Sequence, residues 1–348
     1  MLVMEHRSPS EPAPSPLPGI VRLAAAPPLS PRRALLLLVG FFGLWLAFQV
    51  GTGVLLAIGL AASGWLPPGP WPRALEELLR AAGFVTSGLG LMAATGSLLA
   101  TLGAVAVLVP HGGPSLAAMG LRCERGWWRE GLVGLALGPL LFALILAVEL
   151  ACGWATVTPQ RWEGLRLLFG LLTFTAVAVS EEVVARGFLL QVLGRAWGPA
   201  VAVIGSSVVF GLLHVANPHA SGLAVVGVTA AGLVFAWAYL ATGRLWLPIA
   251  FHLSWNFAQG PLFGFPVSGL PSGGLLAVQV SGPVWATGGA FGPEAGLLGV
   301  GATLLAAALI AAWRRPDASA LATSAVLLGA GAGLSFLLVL VTRPLLGA

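Results

Sequence analysis

The sequence predicts an all-α fold, a polytopic transmembrane helical bundle of about eight to nine spans, on three observations. Of its 348 residues, 57% are hydrophobic and only 8% are charged, with a mean hydropathy of +0.94, whereas a soluble domain carries about 25% charged residues. Apolar runs long enough to cross a hydrocarbon core recur along the whole chain. All 17 basic residues are arginine, and they gather at the ends of those runs, where topology signals belong. A pI near 10.9 would otherwise suggest a polyanionic partner. The placement of the arginines assigns that charge to the membrane surface instead, so no nucleic-acid partner is expected.

Residues 1–33 hold eight prolines and read as a disordered cytoplasmic tail. The run after it is too long for a signal-peptide core and is expected to remain as a helix. Spans are predicted near 34–61, 82–109, 131–153, 167–194, 199–216, 222–242, 247–264, 293–313 and 319–342. The Gly/Pro-rich stretch 265–292 is expected to form a loop or re-entrant segment. The spacing of Gly134 and Gly138 suits close helix packing in lipid. With the N-terminus inside, arginines 7, 22, 32, 33, 122, 125, 129, 195, 244, 314 and 315 fall on the cytoplasmic side. Arginines 73, 80, 161, 166 and 343 fall outside, and Arg186 lies within a span. Cys123 and Cys152 then sit near opposite surfaces and are expected to be two unpaired thiols.

The stretch "SEEVVARG", residues 180–187, places two glutamates and an arginine inside an apolar run. At bilayer depth each charge costs at least about 2.5–3.5 kcal/mol on insertion scales. Glu182 and Arg186 are four apart and share a helix face, so they can pair; Glu181 is turned about 100° away and has no local partner. A buried ion-pair network that only fixes packing explains two of these charges and leaves the third without a reason. Two further stretches supply one. In "VVFGLLHVANP", Phe210 and His214 share a face ahead of Pro218, and in "LPIAFHLSWNF", His252 and Asn256 do the same. His6, His111 and His219 lie in the tail or in loops and read as solvated residues. Counting from the turn near Gly198, Glu181 lies 17 residues before it and His214 lies 16 after it. At 1.5 Å per residue both sit about 25 Å from that turn, at matching depth. His252 comes so soon after Arg244 that straight helices would place it near the opposite surface, unless its helix tilts or begins inside the bilayer behind Pro248.

"EEVVARG", "FGLLH" and "HLSWN" resemble the ordered motifs EExxxR, FxxxH and HxxxN of the CAAX protease and bacteriocin-processing (CPBP) family. These are intramembrane glutamic endopeptidases related to the type II CAAX prenyl protease. The resemblance implies a protease core over 161–262, flanked by N-terminal helices in 34–160 and by a loop and helices in 263–348. It implies that Glu181 is general base on a water that His214 helps to hold, and that His252 and Asn256 stabilise the oxyanion. Glu182 and Arg186 would be the supporting ion pair. It implies no cofactor. Two histidines and a glutamate also equal the ligand count of a catalytic zinc site, which is the mechanistic rival. A transporter using the charged helix, or a scaffold retaining it for packing, are the alternatives outside enzymology. The all-arginine composition is that of a bacterial, high-GC chain, so the expected place is the bacterial inner membrane. The expected substrate is a peptide or membrane protein rather than a prenylated one.

Overall fold

A computed structural model describes residues 17–62, 84–160 and 164–314. The predicted span 319–342 and residues 1–16 of the expected tail lie outside the described residues, as do arginines 73, 80, 161, 315 and 343. Among the described residues six helices are long and apolar enough to cross a membrane. They are α2 (Pro31–Ala62), α3 (Gly88–Leu108), α4 (Trp127–Ala151), α5 (164–197), α7 (Gly222–Thr242) and α9 (Leu297–Arg314). Two shorter apolar helices, α6 (Pro199–Leu213) and α8 (Trp246–Phe257), complete the set. At 1.5 Å per residue α6 is about 22 Å long, less than a hydrocarbon core, so it ends at depth.

Two expectations are corrected. Within the segment read as tail, Pro18–Ala25 forms a helix, α1, with proline in its first turn, where a missing N–H costs nothing. Leu23 is buried, and Gly19 lies so close to the backbone of Leu240 that a Cβ would sit 2.6 Å from its Cα. The fold is also not wholly helical. Ala155–Pro159 (β1) and Leu276–Val280 (β2) pair antiparallel, Ala155 opposite Val280 and Pro159 opposite Leu276. The second strand and a one-turn helix, Val284–Thr287, lie in the stretch expected to be a loop.

One end of the bundle is held by arginines. Arg22 donates to the Ala118 carbonyl, Arg33 to that of His111, and Arg195 to those of Pro27 and Gly112. Arg244 pairs with Glu130 at 2.6 Å. The sheet and the segment 263–296 lie at the other end, where α4, α6 and α8 finish. Cys123 and Cys152, both free and exposed, flank the 25-residue helix α4 at its two ends.

Close packing centres on small residues. A Cβ at Gly134 would lie 2.7 Å from the Cβ of Ala250, and Ser254 bridges the helices, its Oγ donating to the Gly134 carbonyl and accepting from the Gly138 N–H. The predicted role of this glycine pair is thus realised against α8. Gly232 of α7 likewise admits Ser207 of α6, where a Cβ would meet the Ser207 Cα at 3.1 Å. The far half of α2 exposes Leu46, Val50, Val54, Leu55 and Ile58, the surface of a helix facing lipid.

Candidate active site

The site is built where α5 changes its winding. Glu181 and Glu182 end the α-helical part, and Val183–Leu189 continue as a π-helical segment, a deviation that recurs at functional positions. The i, i+4 pair survives it: Arg186 donates to Glu182 Oε1 at 2.8 Å, with both side chains fully buried. Its other amino group donates to the carbonyl of Gly232 at 2.8 Å, and its guanidinium lies 4.5 and 5.2 Å from the ring centroids of Phe210 and Phe235. A buried cation is tolerable only with such partners.

Glu182 carries a second load. His252 Nδ1 lies 3.0 Å from Glu182 Oε1, and a carboxylate that accepts from Arg186 makes Nδ1 the donor. Phe235 stacks on the His252 ring at a centroid distance of 4.9 Å and 21° between planes. The imidazole is fixed in tilt and carries a proton on Nδ1, and its Nε2 is turned to Glu181 Oε2 at 3.8 Å.

His214 reaches the same atom from the other side, and for a reason the helical pattern does not contain. The predicted span 199–216 ends early, at Leu213, and His214 is the C-cap of α6. There its Nδ1 lies 2.8 Å from the Phe210 carbonyl. A carbonyl can only accept, so Nδ1–H caps one of the terminal carbonyls of α6, and Nε2 faces Glu181 Oε2 at 3.9 Å. Glu181 Oε2 is itself buried and takes no hydrogen bond among the described residues. Both separations, 3.8 and 3.9 Å, are longer than a direct hydrogen bond.

Asn256, one turn beyond His252 on α8, is 7% exposed and lines the same cavity of about 350 Å³ as Glu181, His214 and His252, a volume typical of ligand sites. The depth difficulty for His252 resolves at the corner before α8. Gly243 closes α7 in a left-handed conformation, the Leu245 N–H bonds the Gly120 carbonyl, and Arg244 turns to the buried Glu130. The loop 112–126 and α1 lie over this corner, so α8 starts beneath the surface of the bundle.

All six predicted site residues therefore come together. The structure adds residues that nothing in the sequence singled out. Phe235 sits in an unbroken apolar run. Gln49, Ser97 and Ser180 form a polar wall to the cavity. Asn217 and Ser268 close its far rim, Asn217 Nδ2 donating to the Ser268 carbonyl. The tip of that rim turn, Ser268 and Gly269, has positive φ at both residues. It is held by Glu294, whose Oε1 accepts from the Ser268 N–H and whose Oε2 accepts from Gln259 at 2.6 Å. Burial pushes the Glu294 carboxyl up to about 7, against the lowering effect of these bonds.

The donor types of Glu181, His214 and His252 suit zinc, but their separations exceed the roughly 3.3 Å edge of a tetrahedron with bonds near 2.0–2.1 Å. Among the described residues no group of three or more His, Cys, Asp or Glu is arranged to hold a metal ion.

Residues 162–258 match the family model described as type II CAAX prenyl endopeptidase Rce1-like. The matched segment contains all three motifs, from Glu181 to Asn256, so the resemblance to the CPBP and CAAX protease family holds over this part of the chain. No curated protein and no solved structure matches the chain.

Proposed function

We propose that this chain is an intramembrane endopeptidase that hydrolyses a peptide bond of a membrane-associated substrate by a glutamate-activated water. The family match supports CAAX-type protease activity at the level of the class. The observation that carries the finer reading is the convergence of both histidine Nε2 atoms on one buried oxygen of Glu181, in a cavity shared with Asn256.

In this reading Glu181 takes a proton from a water that His214 Nε2 also holds. The water oxygen bonds the scissile carbonyl carbon, and the carbonyl becomes an oxyanion. Asn256 donates to it through its carboxamide, and His252 donates through Nε2–H as an imidazolium whose Nδ1–H rests on Glu182. Collapse breaks the C–N bond, and Glu181 returns the proton to the leaving amine, which restores the carboxylate. One such oxyanion donor is worth about 10²–10³ in rate. Arg186 fixes the Glu182 carboxylate, which in turn holds the His252 Nδ1–H in place.

The core is assigned to residues 161–262, with 34–160 and 263–348 as flanking regions and eight or nine spans in all. Arginines 22, 33, 195 and 244 at one end of the bundle support a cytoplasmic N-terminus in a bacterial inner membrane. The substrate is a peptide or a membrane protein.

The test uses purified protein in proteoliposomes with a quenched CAAX-box peptide, farnesylated or bare. Glu181→Gln keeps the size of the side chain but cannot take a proton, so turnover is expected to vanish while peptide binding persists. Equal cleavage by the wild type and Glu181→Gln would remove Glu181 from the mechanism.

A further inference from the structure

We propose that Gln49 of α2 binds the peptide backbone of the substrate, on the wall of the cavity that Glu181 also lines. The proposal rests on the protease reading and extends it to a helix outside the family match.

Helices α2 and α3 run antiparallel and meet along a polar seam. Trp45 Nε1 donates to Thr101 Oγ1 at 3.1 Å, Gln49 Nε2 donates to Ser97 Oγ at 2.8 Å, and a Cβ on Gly96 would touch Thr52 at 3.3 Å. The seam continues into α5, because Ser180 Oγ lies 2.8 Å from Thr101 Oγ1 and 3.5 Å from Ser97 Oγ. Ser180 immediately precedes Glu181, so Gln49 stands in the layer of the bundle that holds the catalytic carboxylate. Gln49, Ser97 and Ser180 all line the cavity that contains Glu181 and His252.

A carboxamide has two N–H donors and an acceptor oxygen. Gln49 uses one donor, on Ser97; among the described residues its Oε1 and its second N–H take no further bond. The neighbours of Gln49 on α2, Leu46 and Val50, are exposed and apolar, and a carboxamide at that depth is costly to leave half satisfied. A free donor beside a free acceptor is the complement of a peptide group. A substrate strand entering the cavity must satisfy its own N–H and C=O away from water. The walls formed by Phe84, Val85, Val209 and Leu213 offer it no side-chain donor.

A purely structural role, with Gln49 joining α2 to α3, makes a different prediction. Ser97→Ala removes that joint and leaves the carboxamide, whereas Gln49→Met removes both and keeps the volume and flexibility of the side chain. Three measurements separate the roles: KM and kcat on the farnesylated and bare CAAX peptides, the Kd of the same peptides in a Glu181→Gln background by fluorescence anisotropy, and the melting temperature. Gln49→Met is expected to raise KM and Kd about tenfold, the loss of two neutral hydrogen bonds, with kcat changed less than about threefold. Ser97→Ala is expected to move KM and Kd by less than about threefold while lowering the melting temperature as much as Gln49→Met does. If the two variants shift KM and Kd equally, or neither does, while the wild type still cleaves, the proposal is overturned and the protease reading stands. If the wild type cleaves neither peptide and Glu181→Gln binds neither, the protease reading falls and takes the proposal with it.

Discussion

Replacing Arg186 by alanine removes a guanidinium that four neighbours share. Glu182 loses its 2.8 Å partner, the Gly232 carbonyl loses its donor, and the space between the rings of Phe210 and Phe235 is left unfilled. Breaking a buried pair by deleting one member costs about 3–5 kcal/mol. The orphaned carbonyl adds about 1–3 kcal/mol, and the truncation leaves a cavity besides. Set against a typical stability of about 5–15 kcal/mol, the sum consumes most of what holds a protein folded. Arg186→Ala is therefore expected to yield little monodisperse protein in detergent and a sharply lowered melting transition. The paired replacement Glu182→Gln with Arg186→Met removes both charges, which is often neutral for stability, and is expected to recover much of the transition. Activity should not return, because a neutral amide cannot hold the His252 Nδ1–H as the Glu182 carboxylate does. Melting curves by intrinsic fluorescence, read beside peptide cleavage, check both statements. An Arg186→Ala protein that melts like the wild type would refute the structural role assigned to the pair.

Asn256→Ala is expected to lower kcat by about 10²–10³ with a much smaller change in KM, since an oxyanion donor acts on the transition state; steady-state kinetics on the CAAX peptide read the split. Elemental analysis of pure, active protein is expected to find no stoichiometric zinc; one zinc per chain, lost with activity on chelation and restored with it, would replace the glutamate mechanism by a metal one. Glu294, outside α9 and raised by burial to about 7 from 4.5, gives a pH signature. A raised folded-state value means its contribution to stability is complete below about 4.5 and is lost as pH rises through about 7. Hydrogen exchange of the rim turn at Ser268 and Gly269 should accelerate across that window, and Glu294→Gln should flatten the dependence.

How much of the protein is legible in the chain depends on where each residue's constraint comes from. Apolar runs announce membrane helices because lipid demands them: of the nine predicted spans, six coincide with described helices long enough to cross and two, 199–216 and 247–264, with shorter ones. Three charges in an apolar run announce a polar site for the same energetic reason, so Glu181, Glu182 and Arg186 were identifiable, and residues 162–258 bear out the family their motifs resemble. The β1–β2 pairing was not legible: its strands lie more than a hundred residues apart, and neither carries more than a short alternation. His214 was placed within a helix because periodicity cannot see where α6 stops, yet its tautomer depends on that end. Gln49 carries no signal in the sequence of α2, since only the packing of α2 on α3 sets it in the wall of the cavity that holds Glu181. The sequence by itself determined which groups are too costly to leave alone in lipid. Only the tertiary structure decided which group meets which, because a hydrogen bond is made over about 3 Å between residues whose separation along the chain carries no record of their distance.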